Sequence, residues 1–177
     1  ERHRAMWELV TPIRIPAEPA VPALAPALPK FAGYGEGWSV SEYRGKRLVW
    51  HTGGWPGMVS RVTLVPELDL GIVVLTNQEV GAAFNAVTME ALDHYLGAPD
   101  TDWVAAYAAA VAKSREKADE KWAGHLKARD RRSKPSLPLS GYAATYADPW
   151  YGDVVIAEEG GKLVMRFAHT AALVGTL

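Results

Sequence analysis

The chain has 177 residues, 49% of them hydrophobic and 22% charged, the balance of an ordinary soluble globular protein with room for a real core. Its 19 basic and 20 acidic residues nearly cancel, which gives no electrostatic reason to expect nucleic acid or an anionic membrane surface as a partner. With no cysteine, a disulfide framework, a thiolate nucleophile and a cysteine metal site are all excluded.

No run approaches the ~20 apolar residues of a membrane span, and the opening Glu1-Arg2-His3-Arg4 does not lead into the apolar stretch of a signal peptide. The sequence opens in mid-pattern without an initiator methionine, as a processed or truncated piece would. Residues 2–9 read as the end of a helix with Met6, Leu9 and Val10 on one side, stopped by Pro12. Pro12, Pro16, Pro19, Pro22, Pro26 and Pro29 then recur among Ala, Val and Leu. This spacing disfavours helix and central strand and predicts an extended, polyproline-type surface loop.

From Tyr34 the pattern turns to strands. Residues 34–41 alternate and reach Arg44-Gly45-Lys46, a tight turn into residues 47–51. Residues 59–65 are β-branched and alternating, Pro66-Glu67-Leu68-Asp69 is a turn, and residues 70–75 form a continuous apolar strand. A strand of that kind is normally buried on both faces, and this chain supplies too few helices for that, so the other face is expected to be covered from outside it or by a second copy. Residues 80–96 carry Val80, Ala83, Phe84, Val87, Ala91, Leu92 and Tyr95 at helical spacing, with Asn77 as a nearby cap and Gly97 as the stop.

A second helix is predicted from Trp103 to about Arg129, capped by Asp100 or Thr101, Ala-rich and then densely charged. Trp103, Tyr107, Val111 and Trp122 give it only a thin apolar stripe, so it reads as a mostly solvated connection. Strands return at 141–146, 152–157 and 162–167, with Glu158-Glu159-Gly160-Gly161 as a solvent-facing hairpin turn, and a further apolar run starts at Ala171. Trp150 and Tyr151 beside a turn read as core or staple residues more readily than as a ligand rim.

The stretch with most chemical content is Trp50-His51-Thr52-Gly53-Gly54-Trp55-Pro56-Gly57-Met58 at the end of a strand. Three glycines in five residues let the backbone approach another molecule closely. Such an edge can present a backbone N–H to a developing oxyanion and side-chain hydrogen bonds to a substrate carbonyl or carboxylate. His3, His94, His125 and His169 have no ligand spacing with one another or with carboxylates, so neither a metal nor any cofactor is expected.

The ordered pieces Tyr34-Gly35-Glu36-Gly37-Trp38, Trp50-His51-Thr52-Gly53-Gly54, Pro56-Gly57-Met58, Val65-Pro66-Glu67 and Gly71-Ile72-Val73-Val74-Leu75-Thr76-Asn77 resemble the C-terminal part of the serine β-lactamase and penicillin-binding-protein-like hydrolases. That family includes class C β-lactamases, D-alanyl-D-alanine carboxypeptidases, D-aminopeptidases and esterases. The resemblance covers residues 34–97. His51-Thr52-Gly53 is similar to the family's His-x-Gly form of the strand that borders the active site, elsewhere Lys-Thr-Gly. By resemblance Gly54 donates an oxyanion-hole N–H, His51 and Thr52 face the substrate, and Gly53, Trp55 and Met58 complete the binding wall. An ordinary imidazole titrates near ~6.5, so the positive charge of a histidine form depends on pH.

The family's other motifs, Ser-x-x-Lys with the nucleophile and Tyr-x-Asn, are not both met. Tyr-x-Asn does not occur in these 177 residues. Ser114-Arg115-Glu116-Lys117 follows the His-Thr-Gly strand instead of preceding it and sits on a charged helix face with nothing to depress a lysine pKa, so it is read as coincidence. Residues 139–177 are similar to the small lipocalin-like β module often appended to these hydrolases.

The resulting expectation is an α+β fold in which a mostly antiparallel sheet is flanked by helices. Residues 1–98 would be the C-terminal part of the hydrolase domain with a Pro-rich insert at 12–30, residues 99–134 a linking helix, and 135–177 an incomplete β module. The implied function is that of a serine hydrolase cleaving an amide or ester through an acyl-enzyme, with this piece inactive alone. Its expected partners are a small-molecule or peptide substrate and the missing N-terminal part of the domain, or a second copy. The resemblance implies a periplasmic or secreted protein. The alternative is a stand-alone ligand- or partner-binding module without catalysis.

Overall fold

The computed structural model describes residues 2–177, with side chains from Arg4 onward. It combines helices with antiparallel sheets in two compact units, Glu1–His125 and Leu126–Leu177.

The first unit is built on a six-stranded antiparallel meander in the order β1 (Thr11–Pro12), β2 (Ala32–Tyr34), β3 (Ser39–Tyr43), β4 (Lys46–Trp55), β5 (Met58–Val65) and β6 (Leu70–Thr76). The opening helix, α1 (Arg2–Ala5), is shorter than its pattern predicts. The sheet edge competes for the chain: Val10 donates its N–H to the Tyr34 carbonyl at 3.0 Å and Ile13 to that of Ala32 at 2.9 Å. Pro12 thus sits in an edge strand, where a missing N–H is tolerated. Gly35 is required here, because an added Cβ would collide with the carbonyl oxygens of Met6 and Glu8.

The proline-rich segment is not extended throughout. Pro22–Ala27 forms a 3₁₀ helix, with Leu24 N–H bonded to the Val21 carbonyl at 3.0 Å and Leu28 N–H to that of Ala25 at 3.1 Å. Pro22 occupies a first-turn position whose N–H has no helical acceptor to meet. Leu24 and Ala27 pack against the core, so this segment is a cover of the sheet and not a free surface loop.

The β3–β4 turn is the expected one, with Arg44 and Gly45 both left-handed at φ 48° and 81°, the geometry of a two-residue hairpin loop. The glycine-rich stretch differs from expectation. Gly53 and Gly54 do not end the strand but pair within it, opposite Ser60 and Val59, and Trp55 pairs with Met58. The turn itself is Pro56-Gly57, with Gly57 at φ 88°, as a type II turn demands.

Strand β6 alternates in burial. Leu70 and Ile72 pack on the core, while Val73 is 66% and Leu75 77% exposed. Among the described residues one face is covered, by α2 (Gly81–Leu96), the helix of this unit that contacts β5 and β6, in line with the expected shortage of helices.

The core lies between the sheet, α2 and the start of α3 (Trp103–Ala128), around Tyr43, Leu48, Val65, Met89, Leu92 and Trp103. Gly97 caps α2 in the left-handed conformation at φ 59°, as expected. Asn77 does not cap it; the N-cap is Val80, without a side-chain bond. The buried stripe is also rotated. Phe84, Ala86, Thr88, Met89, Leu92 and Asp93 are inside, whereas Val87 and Tyr95 are exposed. Thr88 can be buried because its hydroxyl donates to the Phe84 carbonyl at 2.7 Å. The cap of α3 is Asp102, whose carboxylate accepts the Ala105 N–H at 2.8 Å, not Asp100 or Thr101. Beyond Trp103 and Ala106 that helix buries no residue fully, as its thin stripe predicts.

The second unit is a four-stranded antiparallel meander of β7 (Ala144–Asp148), β8 (Gly152–Glu159), β9 (Lys162–Phe167) and β10 (Thr170–Thr176). Residues 139–142 form a 3₁₀ turn instead of the start of β7. The terminal apolar run is a seven-residue strand paired with β9, with a register break between Thr170 and Val174. Glu159 is solvent-exposed and ion-paired with Arg166 at 2.6 Å. Trp150 and Tyr151 are not core: they are 88% and 74% exposed, held out on a turn in which both backbone N–H groups bond to the Asp148 carboxylate at 2.8 Å.

Trp55, Val73 and Leu75 lie in water, and β6 is an outer strand of the sheet. Each large apolar side chain left exposed forgoes ~1.5–3 kcal/mol, and an unpaired edge is a template for another chain. The chain expressed alone is expected to self-associate. Size-exclusion chromatography with light scattering checks this, and a monodisperse 19.2 kDa species with a sharp thermal transition would count against it.

Candidate active site

Residues 51–55 form the exposed final half of β4. Their exposure follows from topology, since β3 pairs with β4 only as far as Ser39 opposite Trp50. Beyond that point one side of β4 is open, and its other side is paired with β5.

His51 is held from two sides. Its Nδ1 lies 2.7 Å from the Thr52 carbonyl oxygen and its Nε2 3.1 Å from the Tyr34 hydroxyl. A carbonyl oxygen only accepts, so Nδ1 carries a proton and Nε2 of the neutral ring accepts from Tyr34. Tyr34 belongs to β2, and its ring centroid is 6.2 Å from that of His51. The sequence pattern gives Tyr34 no role at the site. No local spacing signals the contact, which depends on the β2–β3–β4 order.

Gly53, Gly54, Trp55 and Met58 come together around an open cavity of about 350 Å³, joined by Val59, Ser60, Leu75 and Thr76. His51 and Thr52 lie upstream on the same strand and do not line it. Gly53 admits no side chain without displacement, because an added Cβ would stand 2.8 Å from Ser60 Oγ. Thr76 closes the far side, its hydroxyl within reach of the carbonyls of Val59 at 2.9 Å and Gln78 at 2.8 Å. Ser60, Leu75 and Thr76 were missed by sequence reasoning. The signal was the register: once Pro56-Gly57 is the turn, Ser60 must face Gly53 and Leu75 must face Ser60.

Ser114 and Lys117 are exposed on α3. Among the described residues no group of three His, Asp or Glu side chains is placed to hold a metal ion; the side chain of His3 is outside them. Among the described residues no helix is long and apolar enough to cross a membrane.

Residues 17–96 match the family model described as Beta-lactamase, and residues 128–177 match one described as a domain of unknown function, DUF3471. The chain is similar to the unguisins hydrolase ungD of Aspergillus violaceofuscus, 29% identical over 82% of this chain and 26% of that protein. It is also similar to the unguisins hydrolase ungD' of Aspergillus campestris, 25% identical over 71% of this chain and 24% of that protein. A likeness to the octameric penicillin-binding protein homologue from Pyrococcus abyssi has a TM-score of 0.42 at 19% identity, over 98% of this chain and 30% of the other. The β-lactamase match covers residues 17–96, somewhat less than half of the chain. The chain spans about a quarter of the length of the curated hydrolases it matches.

Proposed function

We propose that this chain contributes the C-terminal part of the hydrolase domain of a serine hydrolase, which cleaves an amide or ester through an acyl-enzyme. The observation that carries this reading is the open half-strand 51–55 beside an accessible cavity, within the stretch that matches the β-lactamase model. The matched relatives are named as hydrolases, which supports the same class. In this reading the strand is of the His-x-Gly type found in class C-related peptidases and esterases. Gly54 N–H stabilises the oxyanion, His51 and Thr52 face the substrate, and Trp55 and Met58 form an apolar wall.

The serine would attack the carbonyl carbon, its proton passing to a base and then to the leaving amine or alcohol, and water would release the acyl group. The 177 residues hold neither Tyr-x-Asn nor a Ser-x-x-Lys ahead of His51, so the nucleophile and its proton-transfer partners are assigned to a part of the protein outside this chain. Residues 139–177 are read as a lipocalin-like module, a reading supported by their antiparallel meander.

The test compares the full-length protein with this chain alone. The full-length protein should react with a serine-directed fluorophosphonate at one serine and turn over nitrocefin or p-nitrophenyl acetate. This chain should do neither above background. Stoichiometric labelling of Ser114 in the isolated chain, or an unreactive full-length protein, would overturn the assignment.

A further inference from the structure

A second cavity of about 340 Å³ lies in the first unit, lined by strands β2 to β5, the proline-rich segment at Ala27 and Pro29, helix α2 and the first turns of α3. Its unusual feature is Arg61. The guanidinium stacks on the Trp50 ring with Cζ 4.2 Å from the centroid. Nε donates to Thr63 Oγ1 at 3.0 Å and Nη1 to Asn85 Oδ1 at 2.6 Å. Both acceptors are neutral. Among the described residues, every ion pair is made by another arginine.

An arginine has five N–H donors, and two of these are engaged, so three remain. Enclosure pulls the guanidinium pKa down to about 10, and the nearby Tyr107 only partly offsets this. Burial in turn raises the Tyr107 hydroxyl. A desolvated cation without a counter-charge is costly to keep. The one carboxylate in the cavity wall, Glu42, has its oxygens taken by the backbone N–H groups of Lys30 at 2.9 Å and Gly45 at 2.5 Å. Trp50, Arg61, Asn85 and Tyr107 are all half-buried, so a solute can reach them.

We propose that this cavity binds an organic monocarboxylate, its carboxylate on the free N–H groups of Arg61 and its apolar body against Trp50 and Met89. The geometry selects the class. A guanidinium meets a carboxylate as a planar fork, and one negative charge neutralises the single cation. A phosphate dianion would bring an uncompensated charge into a wall that is otherwise mostly apolar. The site is distinct from the half-strand 51–55 and does not depend on the hydrolase reading.

Isothermal titration and thermal-shift measurements with phenylacetate, neutral phenylacetamide and inorganic phosphate test this on the chain. Phenylacetate should bind saturably and raise Tm, with phenylacetamide and phosphate at least about tenfold weaker. Arg61→Met should lose the response to phenylacetate by at least about tenfold without lowering the ligand-free Tm, since the desolvated charge is gone. If Arg61→Met does not fold, Arg61→Lys decides. It keeps the charge but not the fork, so weaker phenylacetate binding supports the proposal and unchanged binding overturns it. Equal response to the amide, equal or tighter binding of phosphate, or no saturable binding of phenylacetate would also overturn it.

Discussion

Replacing Asp93 by alanine is expected to destabilise the first unit by about 3–5 kcal/mol, the largest effect of any single substitution proposed for the fold. Asp93 is buried near the C-terminus of α2, and its carboxylate accepts from three directions. Tyr43 Oη lies at 2.5 Å, Trp103 Nε1 at 2.8 Å and Arg44 Nε at 3.0 Å. Tyr43 and Trp103 are themselves buried, so alanine would strand two neutral donors and half-strand a cation away from water. One side chain thereby ties the β3–β4 hairpin, α2 and α3 together.

The loss should appear as a Tm lower by on the order of 10–15 °C, followed in the near-ultraviolet circular dichroism of Tyr43 and Trp103. Trp103→Phe removes one donor together with its bond and should cost only about 1 kcal/mol through that bond. A shift of less than 2 °C for Asp93→Ala would show that the three donors find other acceptors. The network also sets an alkaline limit. Burial first, and then the bond to Asp93, raise the Tyr43 hydroxyl well above the usual tyrosine range. The folded state therefore keeps this proton where the unfolded chain has lost it. The contribution is intact below ~10 and declines as pH rises past it. Burial acts on Arg61 with the opposite sign, since the neutral form is favoured above about 10, so the alkaline loss should be steeper in Arg61→Met than in the wild type.

The elements that sequence made legible are those fixed by chain-local chemistry. Arg44-Gly45 and Gly97 announce a hairpin and a helix stop because few residues adopt positive φ. What sequence did not disclose depends on partners distant along the chain. The buried face of α2 is rotated from its apolar pattern because Thr88 and Asp93 find acceptors and donors inside the fold, which a count of apolar residues cannot register. Pro22–Ala27 took up 3₁₀ turns because the core offered Leu24 and Ala27 a surface. At the candidate site the run His51 to Met58 stood out by composition alone, but Tyr34 came to it through the order of three strands. The Arg61 cavity drew Trp50, Asn85 and Tyr107 from one strand and two helices and left no local signature.

In the full-length protein, His51→Ala is expected to lower kcat/KM on the order of 10²–10³-fold, and Tyr34→Phe about tenfold. Both nitrogens of His51 are occupied, Nδ1 by the Thr52 carbonyl and Nε2 by Tyr34. A neutral ring arranged this way accepts from the tyrosine and has no N–H left for a substrate. Protonation reverses the second bond: Nε2–H then donates to the Tyr34 oxygen, and the tyrosine O–H is released to donate outward to a substrate carboxylate or carbonyl. The pair would thus present both a positive charge and a hydroxyl only as imidazolium. If that charge serves substrate binding, His51→Lys should retain activity and extend it to higher pH, because an ammonium keeps its proton to about pH 10. Tyr34→Phe should raise KM more than it lowers kcat if the hydroxyl serves binding in the ground state. pH–rate profiles of the wild type and the three variants decide the matter. Superimposable profiles for His51→Lys and wild type would mean that the charge plays no part and that His51 serves only to hold Tyr34 and the end of β4 in place.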